Sequence, residues 1–196
     1  NSVIKAVIFD LDGTIVLSHP THFAAYERLF KDFGIMWSFE EFNNIFAGTG
    51  SPGIITKILE RNGVKDFDAR ELAKRKRDIF DEILKETKLS IVSGFFDFLK
   101  EINKRGLKKI IASGSHKLNI LHMLENIGVS KEFPLVVSGE EIANPKPASD
   151  IYLEAARRLG VDPKECLVLE DTEHGVNGAH AAGMKCIAFL TTLEKK

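Results

Sequence analysis

The nine residues Val7-Ile8-Phe9-Asp10-Leu11-Asp12-Gly13-Thr14-Ile15 decide how the rest of the chain is read. A run of β-formers from Val3 to Phe9 ends in two carboxylates and a glycine. An unbroken apolar run of this length, bounded by a turn signal, reads as a buried strand of a parallel sheet. Side chains two apart on a strand point the same way, so Asp10 and Asp12 leave the strand tip side by side. Two close carboxylates at the mouth of an apolar core are costly unless a cation or a shared proton compensates. Gly13 lets the backbone turn sharply at the strand end, where open α/β sheets place their ligands. Alone, Asp-x-Asp-Gly reads equally well as an acidic turn after a strand. The residues downstream separate the two readings.

Beyond Ile15 the rhythm changes. From Thr21 to about Lys88 the chain is helical in period and nearly devoid of strand runs. Phe23, Tyr26, Phe30 and Phe33 recur at helical spacing before Gly34. Phe39, Phe42, Ile45 and Phe46 form a second apolar face, with Ser38 as N-cap and Glu41 in capping-box position. Ile54, Ile55, Ile58 and Leu59 form a third, opened by Ser51-Pro52 and closed by Asn62-Gly63. Asp68 begins a longer charged helix through Leu72, Arg75, Ile79, Ile83 and Leu84. Four such helices make a small bundle whose aromatic stripe is its core rather than a binding box.

After Gly94, helix and strand alternate. Helices are predicted over 95–104, 118–127, 150–159 and 172–182, and strands over 109–113, 135–138, 167–169 and 185–190. With the first strand this makes five strands separated by helices, the pattern of a doubly wound parallel sheet. The expected organisation is an α/β core of residues 1–16 and 89–196 interrupted by an all-helical cap at 17–88, with hinges near 16–20 and 86–93. The 196 residues suit such a core with one insertion. A net charge of −1 gives no reason to expect nucleic acid or an anionic membrane as partner, and no apolar run approaches the ~20 residues of a membrane span. Cys166 and Cys186 each open an apolar run and read as buried, reduced thiols, so a cytoplasmic setting is expected. An ordinary surface composition leaves monomer as the default.

The chemistry lies at the strand ends. The Gly-rich first turn of dinucleotide-binding folds is absent, as is a P-loop. Instead the strands end in Asp10 and Asp12, in Ala112-Ser113-Gly114-Ser115, and in Glu170-Asp171, with Asn144-Pro145-Lys146-Pro147 ahead of the next helix. In a parallel doubly wound sheet these ends meet at one edge. Four acids, a lysine and a small hydroxyl beside free backbone amides suit phosphoryl transfer through a carboxylate. A divalent cation offsets the acids, Lys146 and Ser113 hold phosphate oxygens, one Asp attacks phosphorus and its neighbour moves protons. Hard oxygen donors and a phosphate favour Mg2+.

At these residues the chain resembles the haloacid dehalogenase superfamily of phosphohydrolases, whose four motifs it matches in order: Asp10-Leu11-Asp12-Gly13-Thr14, Ser113, Lys146 and Glu170-Asp171. Within it, the chain is similar to the β-phosphoglucomutase-like branch, which carries a helical cap after the first motif. The resemblance implies Asp10 as nucleophile and Asp12 as general acid/base. It implies Mg2+ held by Asp10, the Asp12 carbonyl and Asp171, with Glu170 as ligand or support; by itself Glu170 reads equally as a helix-cap acid. Ser113, the Gly114 amide and Lys146 are implied to bind the phosphoryl group, and the mobile cap to shield the aspartyl-phosphate from bulk water.

Two cap residues carry open readings. His22 stands where similar mutases place a histidine that assists proton transfer, although a surface or helix-start histidine is the commoner case. Lys76 matches a lysine-rich cap helix of the mutases, and substrate contact and a solvated charged face stand level. His19, His116, His122, His174 and His180 read as ordinary surface or structural histidines. Two departures stand out. Gly48-Thr49-Gly50-Ser51 offers no cation where mutases have an arginine for a second phosphate, and Leu17 stands where many relatives carry an acid. The expected function is therefore a Mg2+-dependent phosphatase acting on a small phosphomonoester, a sugar phosphate among the candidates. A hexose-phosphate mutase is the alternative. A phosphate-accepting receiver is disfavoured, because its acids and acceptor sit on different strands and no four-helix insertion follows its first strand. A catalytically dead binding module is disfavoured by the intact motifs.

Overall fold

The computed structural model describes residues 3–46 and 49–189; Gly48 and the predicted strand end at Leu190 lie outside them. Five strands form one sheet: β1 (Ala6–Phe9), β2 (Lys108–Ser113), β3 (Val136–Ser138), β4 (Cys166–Glu170) and β5 (Lys185–Ala188). Their order is β3-β2-β1-β4-β5 and every pairing is parallel. The chain winds outward from β1 to β3, then returns to the other side of β1. That reversal beside β1 is the switch point at which such sheets leave a crevice beyond their carboxyl ends.

The predicted alternation of faces holds in β1. Val7 and Phe9 enter one apolar cluster with Leu11, Ile111 and Phe133. Ala6 and Ile8 enter the opposite one with Ile110, Ile151 and Tyr152. A strand buried on both faces has no solvated side, so its sequence is apolar throughout. β1 starts at Ala6 rather than Val3, because Val3 stands exposed outside the ladder. The flanking helices of the core are α5 (Phe95–Lys104), α6 (Lys117–Asn126), α7 (Asp150–Leu159) and α8 (Glu173–Ala181).

Between β1 and β2 lie four helices: α1 (His19–Lys31), α2 (Phe39–Phe46), α3 (Ser51–Arg61) and α4 (Ala69–Glu86). The predicted caps form. Ser38 and Glu41 exchange hydrogen bonds of 3.1 and 2.9 Å with each other's backbone N–H, and Asp68 accepts from the N–H groups of Arg70 and Glu71. Tyr26, Phe30, Trp37 and Phe42 build an apolar cluster with Ile54, Ile55, Ile58 and Leu59. The helical insertion thus has a core of its own. α1 starts at His19, two residues earlier than predicted, with Pro20 in its first turn, so part of the expected hinge at 16–20 is helical. The two connecting segments run side by side: Leu17 N–H donates to Ser90 O and Val92 N–H to Ile15 O.

Candidate active site

Asp10 leaves β1 at the centre of the sheet, its N–H bonded to Leu169 O at 3.0 Å. One oxygen each of Asp10, Glu170 and Asp171 lies within 4.8 Å of the others, and all three residues are buried. Lys146 crosses this group. Its Nζ donates to Asp10 Oδ1 at 2.9 Å, to Ala112 O at 3.3 Å and to Glu170 Oε1. Burial raises the Asp10 carboxyl well above its usual value, Glu170 adding to this and Lys146 opposing it. Burial alone would lower the Lys146 ammonium, but Asp10 and Glu170 outweigh it and hold the charge. Three buried acids against one lysine, all offering hard oxygen donors, are a donor set that fits a divalent cation such as Mg2+.

Glycine makes the close approaches possible. Gly13 has φ +82°, and a Cβ there would lie 2.0 Å from Asp171 Oδ2. The loop turns tightly and lets Asp171 slide over it, with Thr14 Oγ1 donating to Asp171 Oδ1 at 3.1 Å. Gly175 serves Glu170 likewise, since a Cβ would sit 2.0–2.2 Å from that carboxyl group. Glu170 Oε1 also accepts from Tyr152 OH at 2.6 Å, while Oε2 takes the Asp171 and Thr172 N–H groups. Both readings of Glu170 therefore meet in one residue: it lies within the acid group and also supports the start of α8.

Asp12 faces the insertion. Its Oδ1 accepts from Ser18 Oγ and from His22 Nε2 at 2.7 Å; its Oδ2 accepts from Ser115 Oγ at 2.8 Å and is 3.4 Å from Ser113 Oγ. Burial pushes the Asp12 carboxyl up, yet the positive potential and hydrogen bonds from the His22 side hold it well below the carboxylate range. His22 Nδ1 is 2.8 Å from Lys76 Nζ. A Lys76 ammonium donates to Nδ1, which leaves Nε2–H to donate to Asp12, so the imidazole is neutral between one cation and one anion. In agreement, burial and then the Lys76 charge lower the His22 pKa to about 4. Burial lowers Lys76 to about 7, with Asp12 opposing it.

This corrects two readings. Lys76 is not part of a solvated face: it is 2 % exposed, its Nζ 4.7 Å from the centre of the Tyr26 ring and 5.1 Å from that of Phe80. His22 is not a surface histidine: it is equally buried and stacks on Phe80 at 4.4 Å. Nor is the aromatic stripe core alone, because Tyr26 and Phe46 reach the cavity wall. That cavity, of about 720 Å³, lies between the strand tips and the insertion. Asp10, Asp12, His22, Lys76, Ser113, Gly114 and Lys146 all line it. His19 and His116, read as ordinary, line it too. Sequence reasoning assigned nothing to Ser18, Ser115 and Tyr152. Ser115 had a signal in its spacing of two from Ser113 at a strand tip, and Gly175 one in its place inside a helix; Ser18 and Tyr152 had none.

A doubly wound parallel sheet with acids at its switch point, a bridging lysine and a helical insertion over the cavity is the layout of an α/β fold with a polar site at its strand tips. Residues 7–189 match the haloacid dehalogenase-like hydrolase family, and the chain is a member of it. The chain is 34% identical over 194 residues to SUPPRESSOR OF QUENCHING 1, a chloroplastic protein of Arabidopsis thaliana, covering 98% of this chain and 18% of that much longer one. It is 31% identical to the fructose-1-phosphate phosphatase YqaB of Escherichia coli, covering 92% of this chain and 94% of that one. Among solved structures, CbbY of Rhodobacter sphaeroides in complex with phosphate superposes with a TM-score of 0.88 at 26% identity, covering 95% of this chain and 86% of that one.

Proposed function

We propose that the chain is a Mg2+-dependent phosphatase that hydrolyses a small phosphomonoester, of the sugar-phosphate class, through an aspartyl-phosphate on Asp10. One observation carries this reading: Asp10, Glu170 and Asp171 converge from two strand tips, with Lys146 bridging Asp10 and Glu170. The fructose-1-phosphate phosphatase among the relatives supports the substrate class. Asp10, Asp171, the Asp12 carbonyl and Glu170 would hold Mg2+, which when bound neutralises charge on the phosphoryl oxygens.

Asp10 attacks phosphorus as the bond to the leaving oxygen breaks, and that oxygen takes a proton from Asp12. Water then attacks the aspartyl-phosphate, giving its proton to Asp12 and freeing inorganic phosphate and the Asp10 carboxylate. As found, Asp12 is held ionised, the state suited to the second step. To act as acid in the first step it must gain a proton, and the Lys76–His22 pair is its contact for one. Ser113, the Gly114 amide and Lys146 hold the other phosphoryl oxygens. Residues 17–88 act as the cap that excludes bulk water, with His22 and Lys76 as its contribution to the site.

The test is phosphate release from a panel of sugar phosphates with Mg2+, with EDTA, and with Mg2+ restored. Turnover is expected only with the metal. Conversion of glucose 1-phosphate to glucose 6-phosphate with a bisphosphate primer, in place of release, would identify a mutase. Release from no monoester would overturn the reading.

A further inference from the structure

Helix α4 presents a row of cations to the cavity in addition to Lys76. Arg70, Lys74 and Arg77 all line it, and their spacing of four and then three is the repeat of one helix face. Ala73, also on the wall, leaves room between them. At ~1.5 Å per residue the row runs about 10 Å along the cavity. The chain has eight arginines. Arg61, Arg75, Arg105, Arg157 and Arg158 are each paired with a carboxylate. Among the described residues Arg28, Arg70 and Arg77 have no such partner, and of these Arg70 and Arg77 line the cavity. Arg75, between them in sequence, turns to the other side of the helix and pairs with Asp32.

The acids nearby do not answer this row. Glu71 lines the cavity as one charge against three, and Glu140 across from it is taken by His116 at 2.5 Å and the Lys117 N–H at 3.2 Å. Asp81, one turn beyond Arg77, is held by Asn119 and His122. Arg77's charge reaches the opposite wall, where it adds to the effect of burial in lowering His116. Lys76 bonds to His22, and Lys146, which serves the transferred phosphoryl group, bonds to Asp10 and Glu170. Among the described residues none of the three cations of the row is paired with Asp10 or Asp12. A guanidinium facing a cavity without a carboxylate is suited to phosphate or carboxylate.

We propose that Arg70, Lys74 and Arg77 form a second anion subsite, so that the substrate is a phosphomonoester bearing another anionic group at the far end of a short carbon chain. This rests on the phosphatase reading and narrows its substrate. α4 thereby supplies what the cation-free stretch 48–51 lacks.

Three compounds that share a phosphate on C6 test it: glucose 6-phosphate, with a neutral far end, 6-phosphogluconate, with a carboxylate, and glucose 1,6-bisphosphate. Calorimetric binding to Asp10→Asn with Mg2+ reads the subsite without turnover. One or both doubly anionic members are expected to bind about tenfold more tightly than glucose 6-phosphate, and which of them does distinguishes carboxylate from phosphate. Adding Arg70→Gln and Arg77→Gln is expected to erase that ratio, whereas adding Arg75→Gln keeps it. Equal binding of all three, or equal loss with Arg75→Gln, overturns the subsite. If the ratio holds but the wild-type chain releases no phosphate from any monoester, the phosphatase reading falls and the subsite stands.

Discussion

The strand-tip cluster and the core of the helical insertion are built on opposite principles. The insertion's core is contiguous in sequence and nearly all apolar: Phe42, fully buried, meets the rings of Phe23, Tyr26, Phe39, Trp37 and Phe46 at 4.8–6.1 Å. Its residues stabilise one another by removing surface from water. The strand-tip cluster joins Asp10 to Lys146, 136 residues away, and to Glu170, further still along the chain, and it concentrates charge where burial opposes charge. The first region yields stability and little chemistry; the second yields chemistry at the expense of stability. They meet in the line Lys76–His22–Asp12, where the insertion brings its own buried cation to a core acid.

The largest expected effect tests the cluster. Asp10→Asn is expected to lower phosphatase turnover at least ~10³-fold, because the amide does not attack phosphorus. Since burial and Glu170 disfavour the ionised Asp10, metal-free stability should be kept or raised, as read by thermal melting. A lower melting temperature would show that the acids stabilise one another after all. Phe42→Ala tests the other side. It is expected to cost about 3–5 kcal/mol, measured by urea denaturation with Trp37, the single tryptophan, as the fluorescent probe. Full stability with lost activity would break the division between the regions.

The meeting point has a pH signature. His22 has its pKa lowered to about 4 in the folded chain, against about 6.5 unfolded. Between these values the unfolded chain binds more protons, so stability is full above pH 6.5 and falls as pH drops toward 4. The loss is on the order of 3 kcal/mol, and denaturation midpoints of wild type and His22→Asn between pH 7 and 4 should differ in slope accordingly. Parallel curves would mean that His22 does not carry the link. The smallest effect concerns the insertion alone: Asp68→Ala removes the N-cap of α4 and is expected to cost about 1 kcal/mol by the same denaturation measurement, with unchanged turnover.

How much was legible from the chain differs between these regions. The five strands, the eight long helices and the caps at Ser38 and Asp68 follow from apolar period and turn residues, which act within a few positions. Asp10, Asp12, Ser113, Lys146, Glu170 and Asp171 could be gathered because parallel strands place all their ends on one edge. Lys76 could not be placed. In sequence it sits in Lys74-Arg75-Lys76-Arg77, where every residue is charged, and only the rotation of α4 separates the buried Lys76 from Arg75 on the outside. Ser18, Ser115 and Tyr152 were missed because a hydroxyl's partner depends on which carboxylate arrives opposite it.

The sequence by itself determined the alternation of elements, the all-apolar central strand and the set of groups able to handle a phosphate, since these depend on local periodicity and on residue type. Tertiary structure alone decided that His22 stands between Lys76 and Asp12, that glycines at 13 and 175 admit Asp171 and Glu170, and that Arg70 and Arg77 face the cavity with no carboxylate paired to them among the described residues. Each of these depends on the distance between segments far apart in the chain, and burial changes the cost of a charge only once those segments have packed.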